Sequence, residues 1–189
     1  MFKFLPLAAL LALAPCAQAA DVSAQAQGLV ADELRSWAQD PEIIAAIEAQ
    51  NTAHAGFDAA RINALDKAWG AEVGAAAQPT IAPVLGNAAS DTLRAKIDAS
   101  QGRFTEAFVM DNLGLNVATA YLTSDYWQGD EEKFTATYGA GPQAVHVSEV
   151  EFDESTQTYQ VQISFTVTDP ASGDAIGAMT VAVDAEQLN

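Results

Sequence analysis

Hydrophobic positions follow one rule up to Phe104 and another after it. In the first half, apolar residues recur at spacings of three and four. Leu29, Leu34, Trp37, Ile43, Ile44 and Ile47 mark one stripe over Ser23 to Gln50, and Ile62, Leu65 and Trp69 mark another over Asp58 to Trp69. Pro41 interrupts the first stripe, with Asp40 placed to cap a new helical start and Glu42 just inside it, so two linked helices and one kinked helix are both open. Asn51 to Gly56 is a polar break, Gly70 ends the second helix, and Gly74 to Asn87, holding Pro79 and Pro83, reads as an extended loop. Ser90 and Asp91 are placed to cap a helix over Thr92 to Ala99, stopped by Gly102.

Beyond Phe104 the period shortens to two. Tyr159, Val161, Ile163, Phe165 and Val167 alternate strictly with polar or small residues, the mark of a strand with two unlike faces. Similar patterns predict strands over Phe104 to Met110, Leu115 to Leu122, Val145 to Phe152, Tyr159 to Thr168 and Ile176 to Asp184. Asn112-Leu113-Gly114 turns the first pair into a hairpin. Asp130 is placed to cap a short helix over Glu131 to Tyr138, and Asp184 to start a terminal one. Helices followed by five strands joined mainly by turns predict an α+β domain on an antiparallel sheet.

Charge narrows the partners. The 189 residues hold 25 Asp and Glu against 8 Lys and Arg, a net charge of −17 spread along the chain. Such a surface repels nucleic-acid backbones and anionic headgroups, so neither a nucleic-acid nor a peripheral-membrane role is expected. With no apolar stretch of about eighteen residues later in the chain, no stable membrane insertion is expected either. Met1-Phe2-Lys3, the apolar run Leu5 to Ala14 and Ala17-Gln18-Ala19 read as a signal peptide over residues 1–19, cut before Ala20 or Asp21, with lipidation at Cys16 the competing reading. One domain then spans 20–189, exported to the periplasm or secreted. Loss of Cys16 with the leader leaves no thiol for a disulfide or for catalysis.

No catalytic pattern stands out. There is no Gly-x-Ser-x-Gly elbow and no phosphate-cradling glycine motif. His54 and His146 lie far apart without cysteine partners, and the acids lack calcium-loop spacing, so no metal or other cofactor is expected. Dispersed carboxylates single out no hydrolase pair, and the chain is not read as an enzyme.

The densest chemistry is Asp111 to Phe134, where Tyr121, Tyr126 and Trp127 sit among Asp125, Asp130, Glu131 and Glu132. Within it, Phe108-Val-Met-Asp111-Asn-Leu-Gly114-Leu-Asn-Val-Ala118 resembles the central hairpin of extracytoplasmic Cache (PDC-type, PAS-like) sensor domains. Thr123-Ser-Asp-Tyr-Trp-Gln-Gly-Asp130-Glu-Glu-Lys-Phe134 resembles the segment that follows it in single-Cache members. Ile176-Gly177-Ala-Met-Thr-Val-Ala-Val-Asp184 is similar to their closing strand, and Asp40-Pro41-Glu-Ile-Ile44 fits their long N-terminal helix.

The resemblance implies a long N-terminal helix packed on a five-stranded antiparallel PAS-like sheet, with a small-molecule pocket between the sheet and the segment after the hairpin. Carried over residue by residue, it implicates Tyr121, Thr123, Tyr126, Trp127 and Asp130, with Asp153 and Asp184 from later strands. The Arg that amino-acid-binding members carry before the aromatic pair is replaced here by Ser124 and Asp125. Aligned acids favour an amine-bearing or cationic ligand.

The bland readings stand beside these. Trp127 would pack on the N-terminal helix, Tyr121 would be simple core, and Asp130 and Asp184 would only cap helices. Only Thr123 to Gly129 has no evident structural task in the sequence. No later stretch approaches a membrane span, so the function implied is a sensory module acting with a separate membrane receptor or sensor kinase. The alternative is a non-catalytic structural or interaction protein that keeps the fold with its pocket filled. The long helix is expected either to pair with its copy in a homodimer or to pack along its own sheet.

Overall fold

A computed structural model describes residues 14–154 and 157–188, with side chains from residue 22 onward. Most of the expected signal peptide lies outside the described residues. The first helix, α1 (Ala14–Leu29), continues through a π-helical turn (Val30–Leu34) into α2 (Arg35–Ala38). The chain breaks at Gln39 and restarts as α3 (Pro41–Ala53), where the Asp40 carboxylate accepts from the Glu42 N–H at 3.1 Å. Two linked helices is thus the correct alternative, and the Asp-Pro-Glu start signal is what separates them.

Next come α4 (Ala59–Glu72), α5 (Ile81–Leu85) and α6 (Ala88–Ala99). Three boundaries differ from the sequence reading. Gly70 does not stop α4, because a glycine inside a helix costs only about 1 kcal/mol and Trp69 beside it is fully buried. The Pro-containing loop holds a helical turn, nucleated by Glu72, whose carboxylate accepts from the N–H groups of Thr80 (2.7 Å) and Ile81 (3.0 Å). Burial pushes the Glu72 pKa up, but those donors outweigh it and the net shift is down. Finally, Asn87 caps α6 through the Ser90 N–H. Ser90 is spent elsewhere, its hydroxyl bridging Val84 O and the Thr119 N–H.

The strands are β1 (Phe104–Met110), β2 (Asn116–Thr119), β3 (Val145–Val147), β4 (Glu151–Asp153), β5 (Thr158–Thr168) and β6 (Ala175–Asp184). All pairings are antiparallel, in the order β2-β1-β6-β5-β3, with β4 on the same side of β5 as β3. The third strand expected over Val145 to Phe152 is therefore broken in two: β3 meets β5 at Ile163 to Phe165 and β4 meets it at Thr158 to Gln160. Ser148 bridges the break, its hydroxyl taking the Gln162 N–H that the ladder leaves over. A five-position antiparallel sheet is the result, as the sequence pattern predicts.

Helices α1, α2, α3 and α6 occupy one face of this sheet. Ile43, Ile44 and Ile47 of α3, with Leu93 and Ile97 of α6, bury against Val161, Ile163, Phe165, Met179, Val181 and Val183. Leu29, Leu34 and Trp37 join the same core, so the long apolar stripe is spent on the chain's own sheet. A smaller cluster lies beside β2, where Trp69, Ile81 and Val84 pack with Leu115 and Tyr126. Among the described residues no helix is long and apolar enough to cross a membrane.

Candidate functional site

The second face of the sheet is built from the other parity of the same strands. On β5 it carries Gln160, Gln162, Ser164 and Thr166, and on β6 it carries Ala178, Thr180 and Ala182. Its middle is closed: the Ser164 and Thr180 hydroxyls are buried and bond to each other at 2.9 Å. One end is capped by apolar packing of Phe108, Met110 and Ala178 under Phe134 of α7 (Glu132–Thr135), with Tyr138 stacked on Phe134 at 5.2 Å.

The opposite end is left open. There a groove of about 900 Å³ runs over Gln160 and Gln162, bounded by Glu106, Tyr121, Leu122, Asp153 and, from α6, Asp98. A second arm of about 480 Å³ continues over the same two glutamines toward Lys133, His146 and Glu151, with Asp130 at its rim. A bulge between Phe104 and Glu106 shapes the floor. It lets Thr105 reach over the strand, where its hydroxyl donates to Gln160 Oε1 at 2.7 Å.

Glu106 is the group whose energetics stand out. Burial raises its pKa; Lys133 partly offsets this and Asp153 adds to it. No described residue donates a hydrogen bond to its carboxylate. Lys133 is occupied with Glu131 (3.0 Å) and Gln128 (3.2 Å), its ammonium above the Phe108 ring. The groove therefore offers a desolvated carboxylate short of donors beside a half-exposed tyrosine. That arrangement favours a ligand bringing N–H donors or positive charge.

The residues singled out from the sequence divide into three groups. Tyr121 and Asp153 come together in the main groove, and Asp130 stands on the second arm. Asp130 does not cap α7, whose preceding residue is Glu131, and the helix is one turn long because the chain tightens again at Thr137. Asp184 lies outside both arms and caps a terminal 3₁₀ turn (Ala185–Gln187) through the Glu186 N–H.

Thr123, Tyr126 and Trp127 border neither arm, and all have structural work. Thr123 is buried, taking the Asn116 amide (3.0 Å) on its hydroxyl and the Trp69 indole (2.9 Å) on its carbonyl. Tyr126 stacks on Trp69 at 5.1 Å, and burial with the nearby Asp111 charge pushes its pKa up to about 12. The Trp127 indole N–H donates to Leu113 O at 2.9 Å, and Asp66 of α4 accepts the backbone N–H groups of both Tyr126 and Trp127 at 3.0 Å. The expectation that Thr123 to Gly129 lacks a structural task is thus corrected, because its partners lie on α4 and on the hairpin turn, distant in sequence.

That turn is itself pinned. Asp111 is fully buried, and Oδ1 accepts the N–H groups of Leu113 and Leu115 at 2.9 Å. Oδ2 takes the Gln50 amide at 3.0 Å and lies 2.8 Å from His54 Nδ1, tying α3 to the hairpin. Gly114 adopts φ 82°, and a Cβ there would run into the backbone of Gly129, so hairpin turn and following segment touch directly. Among the described residues, no group of three or more His, Cys, Asp or Glu is placed to hold a metal ion.

No family model matches the chain, and no curated protein matches it. Solved structures do. The sensor domain of the Vibrio cholerae histidine kinase DctB is similar over 92% of this chain and 52% of its own, at 11% identity and a TM-score of 0.44. The ligand-binding domain of the Campylobacter jejuni chemoreceptor Tlp3, in complex with 4-methylisoleucine, covers 94% of this chain and 65% of its own at 11% identity and TM-score 0.42. The ligand-binding domain of the Pseudomonas aeruginosa amino-acid chemoreceptor PctC, in complex with GABA, covers 92% and 62% at 14% identity and TM-score 0.42. The chain thus spans between about half and two-thirds of these domains. Likeness at that level carries no argument about the site, which rests on the geometry above.

Glu106, Gln160, Gln162 and Lys133 were not singled out by sequence. Two glutamines on a strand whose opposite parity is Val, Ile and Phe are the signal that would have found Gln160 and Gln162. A strand hydrogen-bonded on both sides with one polar face must cover that face or use it.

Proposed function

We propose that this chain is an exported sensory module of Cache type that binds an amine-bearing or cationic small molecule in the open groove and acts with a separate membrane signalling partner. The observation that carries the reading is the desolvated carboxylate of Glu106 at the base of a groove of about 900 Å³ that Tyr121 and Asp153 border. The hairpin and closing-strand resemblance supports the sensory role, and the leader-like N-terminus supports export. An ammonium group bound at Glu106 supplies the donors it lacks and favours its ionised form. Binding therefore releases a proton where Glu106 is still protonated and strengthens as pH rises through its raised pKa.

Thermal-shift screening of the mature protein against amines, amino acids and carboxylates tests this. Stabilisation by an amine that disappears in Glu106→Gln with the fold retained supports it. No stabilisation by any amine, or equal stabilisation of Glu106→Gln, contradicts it.

A second reading has its own observation. Phe108, Met110 and Phe134 fill the space between the sheet and the segment after the hairpin. A structural or interaction protein with a filled pocket would give no ligand response while unfolding cooperatively.

A further inference from the structure

One apolar patch takes no part in the groove. Phe152 on β4 and Tyr159 on β5 are register partners whose rings meet edge-on at 5.2 Å, yet they are 49% and 60% exposed. Val150, two positions before Phe152, is 45% exposed. Tyr159 shares the parity of Val161 and Ile163, so the pair lies on the helix-bearing face, at the end the helices leave uncovered. Beside it, no described strand pairs with the outer edge of β4. Natural edges of this kind are blunted by charge, proline or a covering element, and an exposed aromatic pair does the opposite.

The two faces of this edge differ in kind. Glu151 and Asp153 alternate with Val150 and Phe152, so one face is acidic and the other apolar. Glu149 and Glu154 flank them, and no Lys or Arg occurs anywhere from Phe134 to Asn189. A second copy of this chain would bring the same acids to the same edge, and like charges facing across paired strands oppose association. The complementary occupant is a strand whose side chains alternate basic and apolar. Its basic residues would meet Glu151 and Asp153 while its apolar ones cover Phe152 and Tyr159.

We propose that the β4 edge, with Phe152 and Tyr159, docks an extended basic-apolar segment of a partner protein by strand addition. The aromatic pair lies outside the groove, but Glu151 and Asp153 border its two arms, so a strand docked here would share those acids with a groove ligand.

The probe is a synthetic seven-residue peptide alternating lysine with valine or phenylalanine, compared at physiological salt with a peptide of identical composition in block order. The full chain binds the alternating peptide about tenfold tighter than the block peptide, and Phe152→Ser with Tyr159→Ser removes that preference. In the unsubstituted protein, the peptide slows amide exchange across Glu151 to Asp153, a readout that does not depend on the variants folding. Equal binding of both peptides means charge attraction alone and overturns the proposal, as does unchanged exchange at β4. Concentration-dependent dimerisation that Phe152→Ser abolishes assigns the edge to a second copy and overturns it too.

Discussion

The two faces of one sheet are built from alternate residues of the same strands and have opposite fates. On β5, Val161, Ile163, Phe165 and Val167 point into the helical layer and are fully buried. Gln160 and Gln162, between and beside them, border an open groove. Substitutions on the first face are felt as stability, because close-packed interiors collapse only partly around a lost side chain. Substitutions at the open end of the second are felt as recognition, because little is packed over Gln160 and Gln162. The difference is one of parity, and a one-residue slip of register would exchange the two faces.

The comparison is broken most severely from the buried side. Phe165→Ala removes a ring with no exposed surface and should cost about 3–5 kcal/mol, read as a lower urea midpoint with the slope unchanged. Asp111→Asn keeps acceptors for Leu113 and Leu115 but weakens the tie to Gln50 and His54, and should cost about 1–3 kcal/mol by the same measurement. Trp127→Phe keeps most of the apolar contact and loses the bond to Leu113 O, so about 1 kcal/mol is expected, with ligand affinity little changed.

The groove side should respond in the reverse way. Gln162→Ala should leave stability within about 0.5 kcal/mol while weakening the best amine hit about tenfold in calorimetry. Glu106→Gln should slightly raise the melting temperature at neutral pH. A carboxyl with a raised folded pKa contributes relative stability below its unfolded value, and that contribution is lost as pH rises through the folded one. Removing the charge therefore helps at neutral pH, and the gain should vanish below the ordinary glutamate value of 4.5, where both side chains are neutral.

What the sequence disclosed follows the range of the interactions. Period-two alternation on β5 and the Asp40-Pro41 start are local patterns, and both appear as read. The Pro83 helical turn, the diversion of Ser90 from capping and the split at Ser148 depend on Glu72, Thr119 and Gln162, which no local pattern joins to them. The candidate site was half legible for the same reason. Tyr121 and Asp153 were named and do border the groove. Trp127, Tyr126 and Thr123 looked free only because Asp66, Leu113, Trp69 and Asn116 are distant or unremarkable in the sequence. Glu106 was hidden because a lone acid on a strand among 25 Asp and Glu gives no signal until burial isolates it.

The most direct test is amide chemical-shift mapping of the protein titrated with the amine that stabilises it most. Shifts concentrated at Glu106, Tyr121, Asp153, Gln160 and Gln162, with Ile163, Phe165 and Val181 undisturbed, are the predicted result. Shifts centred on Tyr126 to Gly129, or on the helix-bearing face, would contradict it.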